Sequence, residues 1–173
     1  LDHPKIEGLI SSLLGDDFNY VGGDGNYYTG DTAWHSDGFH HVGKFVKVAL
    51  YLDPVTRDTG CLRVIPHSHA ARQLHEHLHE DRTDLTLNQR LASGSFDESS
   101  AVDLELQPGQ MSLHDVYMVH GAAANMSGKR RTGVALRYMP STSVFERDLR
   151  PSDGKTGIAV NFAKRPLWLL KGT

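Results

Sequence analysis

The sequence predicts an all-β core, a barrel or sandwich best accommodated as a double-sheet jelly roll with flanking helices. Short apolar stretches rich in β-branched and aromatic residues recur along the chain. Turn-forming residues, among them 17 glycines, separate these stretches. Only two segments have helical character. At 173 residues, 39% hydrophobic and 23% charged, the chain is expected to form one domain, 1–173, with a sizeable core. A formal net charge of −3 with no basic block argues against nucleic acid as a partner. No apolar run approaches the roughly 20 residues that a membrane span needs. The opening "LDHPKIEGLI" reads neither as a signal peptide nor as an initiator-methionine terminus. A single cysteine, Cys61, excludes an internal disulfide and a thiolate cluster within the chain, which favours a reducing, cytoplasmic setting.

Each element follows from local pattern. Apolar Ile6, Leu9, Ile10, Leu13 and Leu14 recur at helical spacing behind Pro4, so 4–14 is expected to be a helix. "FNYVGGDGNYY" reads as two strand pieces around a Gly-Gly-Asp-Gly turn, and "DTAWHSDG" as a strand stopping at Gly38. "KFVKVALYLDP" alternates as a strand ending at Asp53-Pro54, and "CLRVIP" is a short strand closed by Pro66. From about 70 to 100 the chain becomes polar and then Ser/Gly-rich, which reads as an insertion with some helix. "VDLELQPGQMSLHDVYMVHG" returns to strands hinged on Pro108-Gly109, "RRTGVALRYMP" is the last strand, and the tail 141–173 has little pattern beyond "PLWLL".

Residues two apart on a strand share a face, so His35 and Asp37 point one way while Trp34 and Ser36 point the other. The far strand offers His114 and His120, and Gly121 after His120 permits a close backbone approach. Two histidines and a carboxylate on one side of a metal form the facial arrangement of non-haem Fe(II) oxygenases. The remaining metal positions accept a co-substrate and O₂. The usual co-substrate, 2-oxoglutarate, has a distal carboxylate that needs a cation. Arg131, eleven residues beyond His120, has the planar fork suited to that role.

"WHSDG", "DTGCLRVIPHSH" and "MVHGAAANMSGKRRTGVALRYMP" together resemble the phytanoyl-CoA dioxygenase (PhyH) family of Fe(II)/2-oxoglutarate oxygenases. The resemblance runs from about Tyr20 to Pro140, in order and spacing. It implies a double-stranded β-helix, the cupin-like variant of the jelly roll, with a core at about 18–140. It also implies iron on His35, Asp37 and His120, and 2-oxoglutarate on Arg131. Four departures stand out. Ala122 replaces a common Ser or Thr, and His67 replaces the glycine of Pro-Gly-Ser-His. Ala49 lies where some relatives carry a bulky aromatic residue, and the longer N-terminal part expected of the family is missing. Asp37 argues against halogenation, since halogenating relatives lack this carboxylate. The expected reaction is hydroxylation or a related C–H oxidation of a small molecule, with an acidic compound or a CoA ester as candidate substrates.

Further candidates are weighed against plainer roles. Lys47 shares a strand face with Ala49, and an inward lysine needs an anion such as 2-oxoglutarate. Asn26 and Tyr28 are expected to add hydrogen bonds to the co-substrate. His40 and His41, after the Gly38 turn, are substrate candidates against a solvated loop. Arg137 shares parity with Arg131 and could reach substrate or solvent. His114, six residues before His120, is expected by parity on the same strand face and is a substrate candidate against a supporting structural role. In "HEHLHE", His75 and His79 would share a helix face, but an exposed insertion is the favoured reading. Asn125-Met126-Ser127 reads as a turn. The alternatives are a degenerate or non-catalytic jelly-roll binding protein, a cupin-like isomerase and a zinc hydrolase.

Overall fold

The structure, a computed structural model, describes residues 1–27, 29–37, 41–72, 75–79, 89–145 and 166–173. One α-helix, α1 (Pro4–Leu14), precedes thirteen strands among these residues. They are β1 (Phe18–Tyr27), β2 (Thr32–His35), β3 (His41–Val42), β4 (Val46–Tyr51), β5 (Leu62–Val64), β6 (His77–His79) and β7 (Gln89–Leu91). After a 3-10 turn at Glu98–Ser100 come β8 (Val102–Leu104), β9 (Met111–Asp115), β10 (His120–Ala122), β11 (Thr132–Pro140), β12 (Val144–Phe145) and β13 (Trp168–Lys171). One sheet runs β13-β1-β11-β4-β9, a second runs β2-β10-β5-β8, and β3–β12 and β6–β7 form two-stranded ribbons. The expected all-β, jelly-roll class is the one observed. No helix among the described residues is long and apolar enough to cross a membrane.

By their contacts the residues divide into two compact units: 1–23 with 40–47 and 136–173, and 24–39 with 48–135. In the first, α1 begins as its sequence predicts. Pro4 occupies the first turn, and His3 Nδ1 accepts the Lys5 N–H at 3.3 Å, satisfying one of the orphan donors of a helix start. Ile10 is its one fully buried residue. An aromatic group forms the core here: Phe18 and Tyr20 pack on Tyr138 with centroids at 6.3 and 5.8 Å, and Trp168 packs on Tyr20 at 5.6 Å. In the second unit, Tyr51, Val55 and Cys61 form one buried cluster, and Ile65, Leu91 and Val119 form another against Trp34 and Phe96.

Four local expectations are corrected. The Gly-Gly-Asp-Gly stretch is no turn, because β1 runs unbroken through it, with Gly22 at φ 139° absorbing the distortion that another residue would resist. β2 ends at His35 rather than Gly38, because its pairing with β10 ends there. In place of helix, the described part of the insertion holds the antiparallel ribbon β6–β7 and a 3-10 turn. The tail contributes two strands, β12 and β13, on β3 and β1.

Candidate metal centre

All residues of the centre belong to the second unit. β10 lies between β2 and β5, and its register sets His120 directly opposite His35 on one side and Val64 on the other. This approach is tight. A Cβ on Gly121 would come within 3.1 Å of the Thr32 carbonyl and 3.2 Å of the Trp34 ring, so glycine is what lets the two histidine strands close up. The imidazoles of His35 and His120 then meet with centroids 4.2 Å apart and planes tilted by 51°, both almost fully buried at 3% and 2% exposure.

Asp37 completes the group. Its Oδ1 lies 3.5 Å from His35 Nε2 and its Oδ2 lies 3.8 Å from His120 Nε2. One ligand atom from each residue falls within 4.8 Å of the others. Two donors, each about 2.1 Å from a shared metal and at right angles, would lie about 3 Å apart, so contraction of under an ångström closes the nearest pairs. The tautomers agree with this use. His35 Nδ1 meets the Ala33 carbonyl at 2.8 Å, and His120 Nδ1 meets the Met118 carbonyl at 2.9 Å. A carbonyl only accepts, so Nδ1 carries a proton in each ring, and in the neutral, metal-binding form it is Nε2 that faces the centre with its lone pair. Asp37 is the more open member, with its side chain 18% exposed.

Arg131, just before β11, is buried at 4% exposure. Its Nη1 donates to the carbonyls of Gly60 and Ala123, the latter at 3.2 Å, and its Nη2 donates to the Gly30 carbonyl at 3.1 Å. The Asp58-Thr59-Gly60 motif makes this possible. Thr59 Oγ1 accepts the Thr56 N–H at 2.8 Å, and the Gly60 N–H donates to the Arg57 carbonyl at 3.0 Å. Gly60 sits at φ 77°, and a side chain there would collide with the Arg131 guanidinium and the Ala123 carbonyl. Next to Arg131, the Thr132 N–H donates to Asp53 at 3.1 Å, and hydrogen bonding from Thr132 holds that carboxyl below its usual range. Burial pushes the Cys61 thiol up from its ordinary value.

His114 packs against His120 with centroids 4.7 Å apart and planes tilted by 52°, and is buried. The route differs from the expected one. His114 and His120 lie on different strands, β9 and β10, joined by a turn in which Asp115 accepts the N–H groups of Tyr117 and Met118. Shared strand parity therefore has no part in their contact. The Asn125 turn is as expected: its Oδ1 accepts the Ser127 N–H at 3.1 Å, and its Nδ2 donates to the Lys129 carbonyl at 2.7 Å. Lys47 in β4 and Arg137 in β11 are partly buried members of the first unit, and the backbone of His41 lies in β3. Asn26 lies on β1, whereas Tyr28 and His40 fall outside the described residues.

His77, expected with His75 and His79 in an exposed insertion, instead reaches the centre. His77 is partly buried, and its Nε2 accepts the Ser36 N–H at 3.2 Å, between the two ligand candidates. The signal was the alternation of histidines at 75, 77 and 79, which has the period of a strand rather than a helix.

The family profile described as phytanoyl-CoA dioxygenase (PhyH) matches residues 2–133. The chain belongs to this family. Among solved structures, the apo form of the non-heme monooxygenase ThoJ superposes with a TM-score of 0.76 at 22% identity, covering 99% of this chain and 60% of that one. EvdO2 from Micromonospora carbonacea var. aurantiaca, complexed with 2-oxoglutarate, gives 0.69 at 24% identity, covering 87% and 65%. The epimerase SnoN, in complex with Fe3+, alpha ketoglutarate and nogalamycin RO, gives 0.64 at 25% identity, covering 91% and 60%. The chain thus spans 60–65% of the length of these three proteins, and the likeness shows a shared fold. No curated protein matches the sequence.

Proposed function

We propose that this protein is a non-haem Fe(II)/2-oxoglutarate-dependent oxygenase that hydroxylates a small molecule. The observation that carries the reading is the His35–Asp37–His120 group, with both Nε2 lone pairs preset toward one carboxylate. Its donor set of two imidazoles and one carboxylate fits Fe(II) and leaves one side for exogenous ligands. The 2-oxoglutarate bound by EvdO2, and the Fe3+ and alpha ketoglutarate bound by SnoN, support the same pair here.

Bound Fe(II) with 2-oxoglutarate supplies the oxidising power: O₂ gives one oxygen atom to succinate, released with CO₂, and the other to the substrate C–H bond. The chain's own residues hold and orient. Carbonyls of Ala33 and Met118 fix the imidazoles, and burial keeps bulk water from them. Arg131 is assigned to the distal carboxylate of 2-oxoglutarate. The guanidinium is buried and oriented by the carbonyls of Gly60, Ala123 and Gly30, and its planar fork suits a carboxylate. Asn26 and Tyr28 are assigned as further co-substrate contacts, and His114 as a lining residue on the substrate side. Asp37 keeps the carboxylate that halogenation would require to be absent.

Ala122 offers no hydroxyl beside the centre and favours a second reading, a metal-binding jelly roll that does not turn over. Turnover separates the two. With ascorbate supplied as the two-electron reductant that takes the second oxygen to water, iron-loaded protein is expected to convert 2-oxoglutarate slowly to succinate and CO₂ with matching O₂ uptake even without substrate, and His120→Ala is expected to abolish it. Metal binding with no succinate would support the second reading.

A further inference from the structure

We infer that His77 is a positioning residue of the metal centre, through which the inserted β6–β7 ribbon fixes the peptide linking His35 to Asp37. The inference rests on the reading of His35, Asp37 and His120 as metal ligands. β2 ends at His35, where its pairing with β10 stops, so the next N–H, that of Ser36, has left the ladder. Ser36 is fully buried at 0% exposure, and a buried N–H without a partner is costly. The partner is His77 Nε2 at 3.2 Å, forty-one residues away in sequence. Because this nitrogen accepts, the neutral ring must carry its proton on Nδ1.

The ribbon is itself anchored. In the β6–β7 register His77 lies opposite Leu91, which is buried with Ile65 and Val119 against Trp34 and Phe96. Leu91 thus packs in the same cluster as the Trp34 ring while His77 holds the Ser36 amide. Both act on residues of "WHSDG" that alternate with the ligands. The Ser36 peptide plane sets the directions in which the His35 and Asp37 side chains leave the backbone. Releasing its N–H would let that plane turn and spread the two ligands.

The test uses Co(II) as the probe metal, with His77→Leu, which removes the acceptor, and His77→Gln, which can restore one through its amide oxygen. Wild-type protein is expected to bind one Co(II). His77→Leu is expected to bind it about tenfold more weakly, a typical loss for an outer-sphere partner. Its cobalt absorption should also shift, and Ser36 amide exchange in the metal-free protein should quicken. His77→Gln should recover most of the affinity and the spectrum. Nitrogen-15 NMR of the unmutated, metal-free protein reads the ring tautomer independently, so the outcome does not depend on the variants folding. An Nε2-protonated His77, or wild-type affinity and spectrum in a folded His77→Leu, would overturn the inference while leaving the metal centre intact. Absence of Co(II) binding in wild type would instead overturn the metal-centre reading and this inference with it.

Discussion

His67 and Tyr138 are the residues whose chemistry and surroundings disagree most openly. His67 stands where the family resemblance implies a glycine, and its backbone sits at φ 63°, in the left-handed region that favours glycine. The left-handed region costs a side-chain-bearing residue roughly 1–2 kcal/mol, partly offset by the entropy glycine loses on folding. His67→Gly is therefore expected to raise stability by about 0.5–1 kcal/mol, read as a higher denaturation midpoint at unchanged slope. Tyr138 is fully buried, and among the described residues its hydroxyl has no hydrogen-bond partner. Burial, with a smaller contribution from Tyr20, pushes its pKa up from 10.0 to about 12. Below pH 10 both folded and unfolded chains keep this proton. Between the unfolded value and about 12 only the unfolded chain releases it, so stability should fall as pH rises through that window. Tyr138→Phe should flatten the decline and gain about 1 kcal/mol at neutral pH, because it removes an unsatisfied buried hydroxyl. A pH series of urea unfolding curves checks both effects.

At the scale of elements, the 56–61 turn and the β2–β10 pair do most to shape the site. The turn places Gly60 where neither a positive-φ side chain nor a Cβ against Arg131 can be accommodated. Gly60→Ala should cost at least about 2 kcal/mol in stability. In the surviving folded protein it should weaken 2-oxoglutarate binding about tenfold, the equivalent of about 1.4 kcal/mol. Calorimetric titration with 2-oxoglutarate, set beside the Asp58→Ala control, separates the local effect from general loosening. Which elements were legible depended on what the local pattern encodes. α1 could be read because Pro4 and five apolar residues at helical spacing agree. β1 could not be read as one strand, because glycines that signal a turn by composition also tolerate distorted extended backbone, as Gly22 does at φ 139°. The β6–β7 ribbon was missed because charged, helix-tolerant residues masked a period-two alternation at His75, His77 and His79.

For the whole molecule, the four polar residues that define the proposed chemistry are legible in the sequence itself. The two-residue spacing of His35 and Asp37 and the motif spacing of His120 and Arg131 point to them, although β2 ends at His35 and strand parity does not reach Asp37. What the sequence did not show is the support: the carbonyls that set the tautomers, the three carbonyls that receive Arg131, and the His77 acceptor. These are long-range backbone contacts, and backbone carbonyls carry no residue-specific signature. His114 was found by a parity argument that does not apply, since a turn rather than a continuous strand brings it to His120.

The central claim, that His35, Asp37 and His120 hold Fe(II) and Arg131 holds 2-oxoglutarate beside it, is tested most directly by anaerobic titration. Purified protein receives Fe(II) and then 2-oxoglutarate while the weak visible charge-transfer band of the chelate is followed. The band is expected to appear at one equivalent of iron, to vanish in His120→Ala, and to need far more 2-oxoglutarate in Arg131→Ala. A folded, iron-loaded protein that develops no band, or an Arg131→Ala variant that titrates like wild type, would contradict the account.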